Sequence, residues 1–358
     1  TGIPVLPAGV SVTAGPNPFC QGTQVSFAAT PVNGGTTPLF QWKVNGANAG
    51  SGLPIFNYNP VGNDVVTCEV TSNLACISGN PAISPDVIMV EKPVPVVSFV
   101  SCFDTVTVVG AQPFKLKGGI PMGGTYAGPG VNSITGIFTP SLAGTGLKTI
   151  QYSYTNVASC SAGKSKTILV QPNPAFSCGG LFTDLRDNRQ YKTFALPSGK
   201  CWMQENLQYG IAVNESTPQT DNCIPEHYLH HSGFYQWDEL MRYQAAETRQ
   251  GLCPPGWHVP TEPEWDELLV LYSGPGRAGG SLKDTLQANG FRSCQQGLLY
   301  LNKTWAFVSG FSAGSMYWTS TASGSDRAVA RGLNISNMSV SRYEAVRGNG
   351  FSVRCIMD

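Results

Sequence analysis

Glycine and proline interrupt this chain so often that long helices have little room to form. The 358 residues include 41 glycines and 26 prolines. In a helix interior, glycine costs about 1 kcal/mol and proline about 3 kcal/mol relative to alanine, whereas both residues are common in the turns that join short strands. The composition therefore predicts a chain rich in β-strands and turns, and the length predicts two or three domains.

Charged residues are scarce and balanced. Lysine plus arginine and aspartate plus glutamate each number 22, and together they make up 12% of the chain, against about 25% in an ordinary soluble domain. A nucleic-acid partner would need a basic surface that this balance does not supply. No run of 18 apolar residues occurs, so we predict no membrane insertion. The chain does not begin with methionine, and we expect a processed protein or a piece of a longer one.

The distribution of charge predicts where the chain divides. Six charged residues fall in residues 1–92, six in 93–173 and 32 in 174–358, and no arginine precedes Arg186. Proline-rich joints at 93–95 and 172–174 follow apolar, strand-like runs. Proline removes hydrogen-bond donors and stiffens the backbone, as in short linkers. We therefore predict three domains, with boundaries at 1–92, 93–173 and 174–358.

The first two segments show the pattern of β-sandwiches. Apolar and polar residues alternate over 24–28, 40–44 and 65–70, and Asn-Gly turn signals occur at 33–34 and 45–46. Short strands at this spacing are typical of a sandwich, with Trp42 in its core. The stretches 20–23, 30–35, 41–46, 63–68 and 71–73 resemble the Ig-like and PKD-like repeats of very large Bacteroidota surface proteins. Residues 93–173, with their glycine-rich run, resemble a related repeat.

The last segment predicts an α+β domain. Apolar residues recur at helical spacing over 234–243 and 264–271, and Thr261 with Glu264 forms a capping-box pattern that predicts a helix start. The stretches 317–321, 328–333 and 351–355 look like strands. Helices packed on a small antiparallel sheet are the expected result.

Seven ordered motifs in this segment resemble the Fibrobacter succinogenes major paralogous domain, a family of secreted bacterial modules, over residues 178–358. The motifs lie at 183–187, 201–207, 235–241, 253–265, 310–313, 317–321 and 352–355. The resemblance implies a C-type-lectin-like or formylglycine-generating-enzyme-like fold. The predicted fold class is thus two all-β Ig-like sandwiches followed by an α+β C-type-lectin-like domain.

Eleven cysteines in a turn-rich chain indicate disulfides and an oxidising, extracellular or cell-surface setting. Cys102 and Cys160 are the only two in their segment, so we predict that they pair. In the first segment we pair Cys20 with Cys76 and leave Cys68 as a core thiol or an intermolecular link; the alternative is an Ig-type bridge from Cys20 to Cys68.

The family resemblance adds further cysteine pairs. It implies bridges between Cys178 and Cys201 and between Cys253 and Cys355. The remaining two cysteines of the last segment, Cys223 and Cys294, are then expected to pair with each other.

Candidate ligand residues are few. Asp184, Asp187 and Asn188 offer oxygen ligands suited to calcium, and we expect no other cofactor. Trp202 and Trp237 are candidates for stacking on a sugar. Of the C-type-lectin calcium motifs, only residues 262–264 come close. Glu239, Glu264 and Glu267 fall on predicted helices whose exposed faces carry charge, so we predict no catalytic residue.

These observations predict a secreted cell-surface adhesin or a component of an extracellular filament. Low charge, stiff proline joints and β-rich modules suit a stalk that carries a lectin-like tip. Its partners would be other surface or filament subunits, including copies of itself, with a glycan as a possible ligand. The alternatives are a carbohydrate-binding module and an enzyme of the formylglycine-generating-like fold.

Overall fold

The chain forms two compact units in the computed structural model. The structure describes residues 5–214, 217–228, 233–244, 250–284, 291, 293, 314–334 and 336–358. The first unit contains the residues up to Val97 together with Tyr154–Ala162, and the second contains Ser98–Ser153 and Gly163–Asp358. The predicted boundary at 92/93 lies five residues before the division at 97/98, and the predicted boundary at 173/174 falls inside the second unit, so the three predicted domains stay a prediction. Within the described ranges, no helix has the length and apolar content needed to cross a bilayer.

The first unit is built from short strands. They are β1 (Leu6–Pro7), β2 (Gly9–Ala14), β3 (Phe19–Cys20), β4 (Val25–Val32), β5 (Leu39–Val44), β6 (Ala47–Ala49), β7 (Ile55–Tyr58), β8 (Val65–Thr71), β9 (Ile77–Ser78), β10 (Ala82–Ile83), β11 (Val87–Ile88) and β12 (Glu91–Lys92). One sheet has the order β2-β4-β7 and another β10-β8-β5-β6, with β11 also paired to β8.

The two sheets of the first unit enclose one apolar core. Alternation along β4 turns Val25, Phe27 and Ala29 inward, because successive side chains of a strand point to opposite faces. Trp42 on β5 is fully buried, lies 5.6 Å from the Phe56 ring and donates from Nε1 to the Leu53 carbonyl. The predicted strands and the predicted core role of Trp42 are confirmed.

The second unit continues the β-rich pattern and adds short helices. Its strands are β13 (Ser98–Phe99), β14 (Val106–Val108), β15 (Phe114–Lys115), β16 (Gly119–Ile120), β17 (Thr125–Ala127), β18 (Val131–Asn132), β19 (Ile137–Phe138), β20 (Gly146–Thr155), β21 (Ser161–Gln171), β22 (Leu181–Thr183), β23 (Gln190–Ala195), β24 (Cys201–Met203), β25 (Ile211–Val213), β26 (Glu226–Tyr228), β27 (Trp257–His258), β28 (Gly314–Ala322), β29 (Arg327–Asn334), β30 (Val340–Val346) and β31 (Ile356–Met357). The facing ends of β20 and β21, residues 154–162, belong to the first unit.

The sheets of the second unit fall into two groups along the chain. The order β14-β21-β20-β17 and the order β15-β19-β18 belong to residues before 172. The orders β22-β23-β24-β31-β27 and β28-β29-β30 belong to the residues after 180. The described part of the chain is thus mostly β, as the composition predicted.

The helices are short. They are α1 (Pro140–Ala143), α2 (Trp237–Leu240), α3 (Glu262–Leu271) and α4 (Ala278–Lys283). The capping box at the start of α3 is confirmed, since Thr261 accepts from the Glu264 N–H and Glu264 accepts from the Thr261 N–H. The helix predicted over 234–243 is wrong in length: α2 is a single turn, because Arg242 and Tyr243 have φ values of 51° and 56°. A left-handed backbone ends a right-handed helix. The motif at 310–313 lies outside the described residues.

Four disulfides cross-link the described residues. Cys178–Cys201 and Cys253–Cys355 are the pairs that the family resemblance implied. The other two bridges are Cys20–Cys160 and Cys102–Cys223. Three predicted pairs are therefore wrong: Cys20–Cys76, Cys102–Cys160 and Cys223–Cys294. The alternative Cys20–Cys68 is also wrong. Cys294 itself lies outside the described residues.

The reason for these wrong pairings is structural. The prediction sought each partner within one predicted domain. Residues 154–162 instead fold with the first unit, where Cys160 forms a disulfide with Cys20. Cys102 belongs to the second unit with Cys223. Cys68 is a buried thiol, in line with a core role, and its burial raises its pKa to about 11. Cys76 is exposed and forms no disulfide.

Candidate functional site

A buried cluster of charged side chains lies within the second unit, around Asp104. Arg186 donates from Nη1 to Asp104 Oδ2 at 3.3 Å, and Arg242 donates from Nη2 to Asp104 Oδ1 at 2.5 Å. The Gln250 amide adds a third donor at 2.8 Å to Oδ2. Arg186 is also bound by the Asp184 carboxylate, with Nη2 2.7 Å from Oδ2. We call these five residues the Asp104 cluster.

Local structure fixes each member of the cluster. Asp104 stands just before β14, whose pairing with β21 begins with the Leu169 N–H donating to the Thr105 carbonyl. Asp184 follows β22 and accepts from the Arg186 N–H in an Asx turn. Arg242 lies in the left-handed residue pair that ends α2. Arg186 and Arg242 lie 82 and 138 positions after Asp104 in the sequence. Only the tertiary fold therefore brings the three side chains together.

Gly251 holds Arg242 from the other side. Its carbonyl accepts from Arg242 Nε at 2.8 Å. The backbone φ at Gly251 is 56°, and a Cβ there would lie 2.6 Å from the Leu240 carbonyl oxygen. Glycine is therefore needed at this position for the Arg242 side chain to keep its orientation.

Asp104 and Arg186 each stabilise the charged form of the other. Burial works against the charge of Asp104, but the positive charges of Arg242 and Arg186 outweigh it and lower the Asp104 pKa. Burial likewise disfavours the charged form of Arg186. The negative charges of Asp104 and Asp184 outweigh this effect and raise the Arg186 pKa. The Asp104 and Arg186 side chains are only 6% and 3% exposed, so these charges depend on one another for stability.

A cavity of about 250 Å³ opens beside the cluster, and we call it the Asp104 cavity. Arg186, Arg242 and Asp104 line it, and the Arg186 guanidinium lies 3.6 Å from the centre of the Tyr209 ring. The other lining residues are Ser101, Phe103, Thr105, Val106, Cys223 and Pro225. Arginines, hydroxyls and apolar walls in one concave site are suited to binding a small polar molecule.

Glu239 is a second buried acidic group of this unit and lies outside the lining of the Asp104 cavity. Burial raises the pKa of Glu239 on α2 to about 7, against the lowering effect of the Glu226 N–H that donates to it at 3.0 Å. Oε2 of Glu226 is buried and has no hydrogen-bond partner among the described residues. Glu239 is 4% exposed, so its predicted position on an exposed helix face is wrong.

His258 forms a third buried charged site. Its Nδ1 lies 2.6 Å from Asp358 Oδ1, and its Nε2 lies 3.1 Å from both carboxylate oxygens of Glu264. Burial alone would lower the His258 pKa, but the bonds to Asp358 and Glu264 outweigh it and raise the pKa to about 9. Burial would raise the Glu264 pKa, but His258 and Thr261 lower it to about 2. The site ties β27 to the start of α3.

We expect His258→Gln to lower the free energy of unfolding of the second unit by about 3 kcal/mol at pH 6. Because the folded-state pKa of about 9 lies above the ordinary value of 6.5, the contribution is complete below pH 6.5 and is lost as pH rises through 9. Urea titrations at pH 6 and pH 10 measure this change. As a control, Lys200→Gln removes a half-exposed ion pair to Glu267 at 2.7 Å and a longer one to Glu264 at 3.7 Å, and should cost less than about 1 kcal/mol. A His258→Gln loss that is the same at both pH values would contradict the assignment.

The predicted calcium residues lie together in one turn, but they have other partners. Asp184 is fully buried, and both of its carboxylate oxygens accept from Arg186, Oδ1 from Nε and Oδ2 from Nη2. Asp187 Oδ1 accepts from the Arg189 N–H, and Asn188 has a φ of 60°. A guanidinium on Asp184 competes with a cation for the same oxygens, so calcium binding by this turn stays a prediction. No three His, Cys, Asp or Glu side chains of the described residues are grouped so that they could hold a metal ion.

The predicted sugar-stacking residues belong to the core. Trp202 and Trp237 are both 0% exposed. Trp202 packs edge-on against Trp265, with ring centres 5.5 Å apart, and the Arg347 guanidinium covers Trp237 at 4.3 Å. Stacking on a sugar needs an exposed ring face, so the prediction for these two residues is corrected.

Sequence reasoning missed the Asp104 cluster, although one signal pointed to it. Asp104 is the single acidic residue of 93–173, and Arg186 is the first arginine of the chain. An isolated charge among apolar residues, here next to Phe103, needs a partner if it is buried. That signal could identify Asp104 as half of a pair, but it could not identify the partner.

The comparisons with known proteins give weak overall likenesses. No curated protein matches the chain in sequence. Three N-terminal domains of the Highly Immunogenic Outer Capsid protein (Hoc) of bacteriophage RB49 are 13% identical, with a TM-score of 0.24, over 46% of this chain and 59% of that chain. A Ca²⁺-stabilized adhesin that helps an Antarctic bacterium reach out and bind ice is 10% identical, with a TM-score of 0.27, over 55% of this chain and 62% of that chain.

A third solved structure is similar over nearly the full length. It is a fimbrial protein from Bacteroides ovatus ATCC 8483, 10% identical with a TM-score of 0.22 over 94% of each chain. The chain spans about six tenths of the length of the phage protein and of the ice-binding adhesin. TM-scores this low do not establish a shared overall fold, and they carry no argument about function.

The family comparison is more specific. It covers α2, α3 and the strands from β24 to β31, which include Glu239, His258 and the Cys253–Cys355 bridge. It begins 20 residues after the 178 start that the motifs suggested. For this part of the chain the resemblance is confirmed: residues 198–357 match the Fibrobacter succinogenes major domain family.

Proposed function

We propose that the chain is a secreted, surface-exposed structural protein of the adhesin or filament type, and that it is not an enzyme. The observation that carries the proposal is the way in which its disulfides overlap. Cys102 lies inside the loop closed by Cys20–Cys160, while its partner Cys223 lies beyond it. The Cys178–Cys201 and Cys253–Cys355 bridges shorten the remainder of the chain. Tension applied along the chain is therefore carried by covalent bridges across most of its length.

The extracellular setting follows from the same bridges. Disulfides persist in oxidising compartments and are rare in the cytosol. The low charge and the β-rich units agree with a protein whose role is to hold or connect. We propose the finer architecture as well: Ig-like sandwiches at 1–92 and 93–173 as a stalk, and a C-type-lectin-like domain at 174–358 as its tip. The enclosed core between the two sheets of the first unit supports the stalk assignment.

Stretching single molecules tests the mechanical part of the proposal. The shortest covalent path from residue 5 to residue 358 crosses the bridges Cys20–Cys160, Cys178–Cys201 and Cys253–Cys355 and contains roughly 90 residues. At about 3.3–3.6 Å per extended residue, this path reaches about 30 nm. With the bridges reduced, the same span reaches about 120 nm. We expect force spectroscopy of the whole chain, held at both ends, to give the short length without reductant and the long length with it. A long extension under oxidising conditions would show that the bridges do not protect the chain.

Electron microscopy of the purified chain tests the assembly part. Regular polymers would identify a filament subunit that binds copies of itself. Monomers that attach to cell surfaces when coupled to beads would identify an adhesin. Monomers that attach to no surface would contradict both forms of the proposal.

A further inference from the structure

We propose that the Asp104 cavity is a binding site for a carboxylate-bearing ligand of the size of one sugar ring, such as a uronic acid residue of a glycan. The cavity lies wholly within the second unit. Its volume of about 250 Å³ is several times the roughly 30 Å³ that one water molecule occupies in the liquid. Exposed Thr105 forms part of its lining, so solvent reaches the site.

The free hydrogen-bonding capacity of the cavity consists mainly of donors. Arg242 uses Nε on the Gly251 carbonyl and Nη2 on Asp104, which leaves both N–H groups of Nη1 without a partner among the described residues. The hydroxyls of Ser101 and Thr105 likewise have no hydrogen-bond partner in the described part of the chain. A ligand that fits these groups must bring acceptor oxygens.

The one carboxylate of the lining is already occupied. Asp104 accepts from Arg186, Arg242 and Gln250, and the Tyr209 hydroxyl lies 3.5 Å from its Oδ1. Both of its oxygens are therefore engaged, and it has little capacity to accept from a ligand hydroxyl. Asp184 lies outside the lining but holds Arg186 with both carboxylate oxygens, so the two guanidinium groups are matched by the carboxylates of Asp104 and Asp184. The preference for an anion rests on the free Nη1 N–H groups of Arg242, because a guanidinium donates a stronger hydrogen bond to a charged oxygen than to a neutral one.

The donors are held in place before any ligand arrives. Arg186 is fixed on three sides, by Asp184, by Asp104 and by the Leu252 carbonyl at 2.9 Å, and its flat face rests on the Tyr209 ring. Arg242 is held through two of its three nitrogens. Little side-chain entropy remains to be lost on binding, and preorganised donors bind more tightly than mobile ones.

The apolar part of the lining suits a sugar ring. Phe103, Val106 and Pro225 contribute apolar surface to the cavity wall, which can cover the C–H groups of a pyranose while Nη1 of Arg242 holds its carboxylate. The proposal relies on the proposed function only for its biological use, as the ligand of an adhesin. Binding of a monosaccharide in solution requires neither polymers nor attachment to cells, so the two proposals can fail separately.

Calorimetric titration of the whole chain with D-galacturonate tests the proposal, with D-galactose and acetate as comparison probes. Galacturonate carries both the ring and the carboxylate, and we expect it to bind at least 10-fold more tightly than either probe. Thr105→Trp places a large ring in the cavity wall without changing the Asp104 cluster, and we expect it to abolish binding. Thr125→Trp, at an exposed threonine of β17, is the matched control and should bind normally.

Arg242→Gln provides a second variant, which keeps an amide donor and removes the positive charge. We expect it to reduce galacturonate affinity at least 10-fold; thermal melting shows whether each variant is folded. Equal affinity for galactose and galacturonate would overturn carboxylate recognition. Binding that survives Thr105→Trp would overturn the location. An absence of binding by the unmodified chain would show that the Asp104 cluster serves stability alone.

Discussion

Replacing Cys253 and Cys355 together by alanine is expected to lower the free energy of unfolding of the second unit by about 4–5 kcal/mol. The bridge closes a loop with a sequence separation of 102, and the chain entropy that such a loop removes from the unfolded state has about this value. Both cysteines are fully buried in the main core of the unit, so alanine adds no buried polar group. Urea unfolding, followed by tryptophan fluorescence, measures the change.

The bridge between Cys178 and Cys201 is the matched control. Its sequence separation is 23, and the same entropy argument gives about 3 kcal/mol for a loop of this length. We therefore expect replacement of Cys178 and Cys201 by alanine to lower the free energy of unfolding by about 1 kcal/mol less than replacement of Cys253 and Cys355. Equal losses, or a larger loss for the short loop, would show that strain or packing rather than loop entropy determines what the bridges contribute.

The parts of the fold that depend on near neighbours in sequence could be predicted. Alternation within a few residues identified the strands that contain Phe27, Trp42 and Val66, because the two-residue period of a strand is a local property. The capping box of Thr261 and Glu264 depends on a spacing of three residues, and the start of α3 followed from it. The single turn of α2 was missed because the left-handed backbone at Arg242 and Tyr243 has no glycine or asparagine to signal it.

The parts that depend on contacts between distant residues could not be predicted. The predicted division at 173/174 separated Asp104 from Arg186, although the two side chains form an ion pair inside one unit. The same division separated Cys102 from Cys223. Nothing local to a cysteine or to a lone aspartate encodes its partner, because pairing depends on which strands the fold brings together. The candidate cavity, which both interactions border, was therefore not visible in the sequence.

Asp104→Asn is expected to destabilise the second unit by about 3–5 kcal/mol at pH 7, since removing one partner leaves buried charge without compensation. Asparagine keeps the shape of the side chain but loses the negative charge that faces Arg186 and Arg242. The surrounding groups lower the pKa of Asp104. Its contribution is therefore complete above the ordinary aspartate pKa of about 3.9 and is lost as pH falls through the lower folded-state value.

Unfolding in urea at several pH values measures the difference between Asp104→Asn and the unmodified chain. We expect the difference to stay constant from pH 6 to pH 8 and to shrink below about pH 4, where Asp104 of the unmodified chain begins to take up a proton in the unfolded state. Asp221→Asn is the control, because its pair with Lys117 at 3.2 Å is half exposed at the carboxylate and should contribute less than about 1 kcal/mol. If both variants lost equally little, the Asp104 cluster would not be what holds residues 98–153 against the rest of the second unit.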